Sequence, residues 1–79
     1  MTENALQRQY AQAVGIAEFI LEEGGHTIKE ICTEFKIKKG LIYTRLDWLA
    51  GCSIGYGFEA NGELASNAKK NIGKKKSSK

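Results

Sequence analysis

Residues 27–50 have the sequence TIKEICTEFKIKKGLIYTRLDWLA, and this stretch decides the fold. Its apolar residues recur about one helical turn apart in two short runs, as expected for two helices that share one core. The first run is Ile28, Ile31, Cys32 and Phe35, and the second is Ile42, Leu46 and Leu49. Between the runs, residues 36–40 contain one large apolar side chain, Ile37, and leave room for a tight turn. The stretch therefore predicts two short helices joined by that turn.

A capping box marks the start of the first of these helices. Thr27 is followed three residues later by Glu30. In this arrangement the threonine hydroxyl and the glutamate carboxylate accept hydrogen bonds from backbone N–H groups that the first turn leaves unpaired. The pattern predicts that the helix begins near Ile28.

These residues resemble the helix-turn-helix motif of the winged-helix superfamily. Cys32 stands where that motif has a small residue, Phe35 and Ile37 bracket the turn, and Ile42 and Leu46 match buried positions of the recognition helix. The resemblance covers residues 27–50 of the 79-residue chain. It implies a mainly α fold of three helices plus a small β-hairpin wing, and it implies DNA binding.

One residue of the turn departs from the pattern of the superfamily. Lys36 occupies a position that is usually glycine, because the backbone there tends towards positive φ, which costs other residues about 1 kcal/mol. The turn is therefore expected to differ slightly. An ordinary helical hairpin without a ligand is the alternative interpretation of the same residues.

A third helix is predicted ahead of the motif, over residues 5–23, between a capping pattern at Asn4 and the Gly24-Gly25 pair. Its apolar arc, about 160° wide, exceeds what two packed helices need. Either the extra apolar surface of this helix contacts a second copy of the chain, or the helix is deeply buried under the wing. The residues expected in such a homodimer are Leu6, Tyr10, Val14 and Ile16.

The wing is predicted after Leu49. Ile54, Tyr56 and Phe58 alternate with small or polar residues, and Asn61-Gly62 is typical of a two-residue hairpin turn. A winged helix-turn-helix domain over residues 1–66 is therefore expected. It carries six basic and nine acidic side chains, whereas residues 67–79 carry six lysines and no acid. This Lys-rich tail is predicted to be disordered, and it either attracts polyanions or is simply solvated.

The composition argues against several classes of protein. Two cysteines and His26 cannot supply the four ligands of a structural zinc site, and no base and nucleophile can be placed together, so neither a metal, a cofactor nor a catalytic site is expected. Both thiols are expected to be reduced. No apolar run reaches about 18 residues, and no secretory signal precedes the domain, which predicts a cytoplasmic protein without a membrane span.

Function is expected on the outer face of the recognition helix. Thr44 and Arg45 are candidate base contacts, and Leu41 is a candidate contact to a thymine methyl group. The whole predicted nucleic-acid-binding set is Lys36, Lys38, Lys39, Gly40, Leu41, Tyr43, Thr44 and Arg45. Asp47 on the same side would meet phosphates unfavourably.

Two functions remain open. The first is a small regulator of transcription that binds double-stranded DNA as a dimer, of the kind common in phages and mobile elements. The second is a module that binds a protein partner through an apolar patch of Leu41, Tyr43 and Trp48.

Overall fold

The computed structural model describes residues 3–51 and 61–74, and within these ranges it contains four α-helices and no β-strand. The helices are α1 (Glu3–Ile20), α2 (Ile28–Phe35), α3 (Lys39–Ala50) and α4 (Gly62–Asn71). The prediction of a mainly α protein is confirmed, but that of three helices with a wing is wrong.

The helix α1 ends three residues earlier than the sequence pattern predicts. The backbone leaves the helix after Ile20, and Gly24 and Gly25 both have positive φ, 92° and 71°. Glycine adopts this region without the steric cost that a Cβ imposes. The Gly25 N–H donates to the Glu22 carbonyl over 2.8 Å, which closes the turn towards α2.

The capping box of α2 is present as predicted. The Glu30 N–H donates to Thr27 Oγ1 and the Thr27 N–H donates to Glu30 Oε1, both over 3.1 Å. These two bonds satisfy donors that the first helical turn cannot pair. The start of α2 at Ile28 agrees with the sequence.

The turn between α2 and α3 is as short as predicted, and Lys36 itself adopts the left-handed conformation, with φ 57° and ψ 46°. The N–H groups of Lys36 and Ile37 both donate to the Cys32 carbonyl, which ends α2. Lys38 is extended and its carbonyl accepts from the Leu41 N–H over 3.0 Å, which begins α3. Ile37 packs against the core from the middle of this turn.

The second strand of the predicted wing is helical. Asn61-Gly62 is the start of α4 rather than a hairpin turn, and the Asn61 carbonyl accepts from the Ala65 N–H over 2.9 Å. This segment forms a helix rather than a strand because Leu64, Ala65, Ala68 and Ile72 fall at helical spacings and pack in the core. The predicted first strand, with Ile54, Tyr56 and Phe58, lies outside the described residues.

The helix α4 also crosses the predicted boundary between domain and tail. The boundary at Ser66–Asn67 lies inside α4, and Ala68, which the sequence pattern assigns to the disordered tail, is fully buried. Residues 67–71 therefore belong to the packed domain. Residues 75–79 lie outside the described part of the chain.

The core forms where α1 packs against the other three helices. Its fully buried side chains include Ile16, Ile31, Ile42, Leu46 and Leu49. The helix α4 occupies the place expected for the wing, and it explains why the apolar arc of α1 is wide: the arc has three neighbours rather than two.

The helices α1 and α4 run parallel, and α3 runs antiparallel to α1. Tyr10, near the middle of α1, contacts Asn61, which precedes α4, and the last residues of the two helices, Ile20 and Asn71, line the same surface pocket. Late in α3, Trp48 contacts Tyr10. One side of α3 is thereby covered, whereas Gly40, Thr44 and Asp47 on the other side are exposed.

Candidate nucleic-acid interface

The exposed face of α3 is set by its buried residues. Ile42, Leu46 and Leu49 are fully buried, as predicted, and they fix the rotation of the helix about its own axis. Gly40, Thr44 and Asp47 are then exposed. These three lie within about 60° of one another on a regular helix, so they form one strip, which we call the outer strip of α3.

Three lysines surround the N-terminal end of this strip. Lys36, Lys38 and Lys39 are all exposed, and within residues 3–51 and 61–74 no side chain forms an ion pair with them. The unpaired N–H groups of the first turn add a partial positive charge at the same end of the helix. Positive charge is therefore concentrated at this turn.

The outer strip itself is narrow and polar. A Cβ at Gly40 would meet no atom within 4 Å, so the surface here is open. Thr44 Oγ1 donates to the Gly40 carbonyl over 3.1 Å, and its lone pairs remain available as acceptors. A partner surface can approach the backbone of α3 closely at these two residues.

Asp47, at the C-terminal end of the strip, is paired with a residue of α4. Lys69 Nζ lies 2.6 Å from Asp47 Oδ1, and the two side chains are 45% and 65% exposed. The carboxylate that sequence analysis judged unfavourable to phosphates thus has a cation beside it.

Arg45 points away from the outer strip, towards α1. Its Nε donates to Gln12 Oε1 over 2.8 Å, and the side chain is half-buried. The structure therefore places Arg45 in a contact between helices and apart from the exposed lysines with which the sequence grouped it.

The three residues of the predicted protein-binding patch do not share a face. Leu41 and Trp48 lie about 20° apart around α3, whereas Tyr43 is about 160° from Leu41. All three are half-buried, and Trp48 packs edge-to-face against Tyr10 with ring centroids 6.5 Å apart. Trp48 thus belongs largely to the internal packing.

The predicted dimer residues of α1 are covered to different degrees. Ile16 is fully buried inside the chain and has no surface to offer a second copy, which corrects its assignment. Leu6, Tyr10 and Val14 are half-buried, and the Tyr10 hydroxyl accepts a hydrogen bond from Asn61 Nδ2. For these three residues the homodimer stays a prediction.

A separate polar cluster surrounds His26, between α1 and α2. Its Nε2 lies 2.8 Å from Glu22 Oε1 and its Nδ1 lies 3.2 Å from Glu30 Oε1, while its ring stacks on Phe19 at 3.7 Å. The hydrogen bond to Glu22 raises the pKa of His26 above its ordinary value of 6.5, with Glu30 adding to it and burial opposing it. The described residues contain no group of His, Cys, Asp and Glu side chains suited to a metal ion.

Lys69 is the residue of this surface that sequence analysis missed, because the whole segment after Ser66 was assigned to a disordered tail. The usable signal was the helical spacing of Leu64, Ala65 and Ala68, which places Lys69 beside the buried edge of a helix. Two of these three residues are alanine, so the apolar pattern is weak.

The described residues thus form four helices, and exposed lysines cluster at the short turn between α2 and α3. No protein-family model matches the chain, and comparisons with curated proteins and with solved structures find no significant match. None of the described helices combines the length and the apolar character that crossing a membrane requires.

Proposed function

We propose that the chain binds double-stranded DNA through its helix-turn-helix and acts as a small regulator of transcription. The outer strip of α3 enters the major groove, and Lys36, Lys38 and Lys39 contact the phosphates beside it. Thr44 is the side chain best placed to touch base edges. Gly40 lets the backbone approach the groove closely.

One observation carries the proposal: three exposed lysines, which form no ion pair with any described residue, surround the end of an exposed helix strip that contains no bulky side chain. Phosphate contacts supply most of the affinity of a non-specific complex, and each contact releases counterions. A helix with small exposed residues fits a groove only about 12 Å wide. The lysines and the strip therefore complement the two features that every DNA duplex presents.

The experiment is a titration of a mixed-sequence duplex at several salt concentrations with the full chain and with the double variant Lys38→Ala, Lys39→Ala. If both lysines contact phosphates, the variant binds more weakly and its log–log salt slope is smaller by about 1.8. Neither side chain packs in the core, so circular dichroism should show an unchanged melting temperature.

A matched control removes the same charge elsewhere. Arg8 on α1 and Lys29 on α2 are also exposed, and the double variant Arg8→Ala, Lys29→Ala should retain nearly the full salt slope. Equal losses of duplex affinity in the two double variants would mean that net charge alone drives binding. The helix-turn-helix would then not be the interface. If neither pair affects DNA binding while Leu41→Ala abolishes binding to a protein, the protein-binding alternative is correct.

A further inference from the structure

The ion pair between Asp47 and Lys69 joins the outer strip of α3 to α4. Asp47 lies on the same side of α3 as Gly40 and Thr44, so a duplex that contacts the strip approaches its carboxylate. The Lys69 ammonium lies 2.6 Å from that carboxylate. Both side chains remain accessible, so the pair stands at the rim of the candidate interface.

We infer that Lys69 is a positioning residue for DNA binding, which offsets the charge of Asp47 and lets the outer strip approach phosphates. This inference rests on the proposed function. It also gives α4 a role in recognition, since the helix that replaces the expected wing supplies the compensating charge.

Electrostatics gives the size of the effect. A unit charge about 6 Å from a phosphate in water changes the affinity by about threefold. Removing Lys69 leaves Asp47 uncompensated and should weaken binding by about this factor. Removing the carboxylate instead should strengthen binding by a similar factor.

The test compares four variants in the same duplex titration: Lys69→Ala, Lys69→Arg, Asp47→Asn and the double variant Asp47→Asn, Lys69→Ala. We expect Lys69→Ala to bind about threefold more weakly and Asp47→Asn about threefold more tightly. The double variant should have the wild-type affinity and the wild-type salt slope, because both charges of the pair are gone. Lys69→Arg should behave as wild type, since it keeps the positive charge.

A neighbouring lysine provides the positional control. Lys70 is exposed on the same helix but lies about 100° around α4 from Lys69. In the background of Asp47→Asn, Lys70→Ala should therefore fail to return the affinity to the wild-type value. If Lys69→Ala and Lys70→Ala lower the duplex affinity equally in this background, the inference is overturned.

Two further outcomes overturn it. A double variant that binds more weakly than wild type, with a salt slope smaller by about 0.9, would make Lys69 a direct phosphate contact. If Lys69→Ala leaves the duplex affinity unchanged, Lys69 has no role in DNA binding. If the Lys69 and Asp47 variants bind as the wild type does while Lys38→Ala, Lys39→Ala weakens binding, only this inference is wrong. If the wild type binds no duplex at any salt concentration, the proposed function is wrong and the inference fails with it.

Discussion

Arg45 on α3 donates a hydrogen bond from Nε to Oε1 of Gln12 on α1, across 2.8 Å and 33 residues of sequence. The contact connects α3 to α1, which packs behind it. Together with the buried Leu46 one residue later, it fixes which side of α3 faces outwards. It also engages the one arginine that the sequence pattern had placed among the DNA contacts.

Loss of this contact should destabilise the protein modestly. Gln12→Ala removes the acceptor of a partly buried charged donor, so we expect the free energy of unfolding to fall by about 1–2 kcal/mol. Urea denaturation measures this directly. Gln7→Ala is the matched control, since Gln7 is exposed on the same helix and its replacement should change the stability little. Equal effects of the two substitutions would mean that the Arg45 contact contributes nothing.

The turn at Lys36 offers a stabilising substitution. Lys36 has φ 57°, a region that costs a residue with a Cβ about 1 kcal/mol. Lys36→Gly should therefore raise the free energy of unfolding by up to about 1 kcal/mol, less the greater entropy of glycine in the unfolded chain. Lys29→Gly, inside α2, should lower it by about 0.5–1 kcal/mol. Chemical denaturation measures the free energy of unfolding of both variants. A Lys36→Gly protein less stable than the wild type would contradict backbone strain at Lys36.

The sequence predicts the structure best where the signal is local. The capping box at Thr27 and the buried spacing of Ile42, Leu46 and Leu49 depend on residues within one or two turns of each other, and both agree with the structure. Lys36, Lys38 and Lys39, which the sequence placed among the candidate nucleic-acid contacts, are exposed.

The error at Asn61-Gly62 has a physical origin. Asn-Gly is typical of a hairpin turn, but asparagine is also favoured at the N-cap of a helix, which is the position that Asn61 takes before α4. The choice depends on whether Ala65 and Ala68 find a surface to pack against, and that surface comes from α1 and α3. A local pattern does not contain this information, and alanine contributes little to an apolar pattern.

The role of α4 in the core can be tested at Ala68. This side chain is fully buried, so Ala68→Glu places a charge where no partner can solvate it, and we expect loss of the cooperative fold. Asn67→Glu adds the same charge one residue earlier, on the exposed side, and should be tolerated. Thermal unfolding by circular dichroism separates the two. A folded Ala68→Glu protein would show that α4 does not belong to the core.

The cluster around His26 should make stability depend on pH. Its pKa is raised above 6.5 in the folded protein, chiefly by the hydrogen bond to Glu22, so the folded state holds the proton more tightly than the unfolded chain. This contribution is fully present below pH 6.5 and is lost as the pH rises through the raised pKa. We expect the urea midpoint to fall over that window.

Two variants assign this effect to His26. His26→Gln should flatten the profile above about pH 6, because glutamine does not titrate. Glu22→Gln removes the partner with the largest effect and should flatten it in part, while leaving the capping box of Thr27 and Glu30 intact. If the urea midpoint of His26→Gln depends on pH as steeply as that of the wild type, the pH dependence comes from other groups.

The most direct measurement of DNA binding through the helix-turn-helix is a map of backbone amide chemical shifts during titration with a mixed-sequence duplex. We expect the largest saturable changes at residues 36–44, with smaller ones around Asp47 and Lys69, and little change in the first half of α1. Changes confined to residues 75–79, or centred on α1 and the N-terminal turn of α2, would contradict binding through the outer strip of α3.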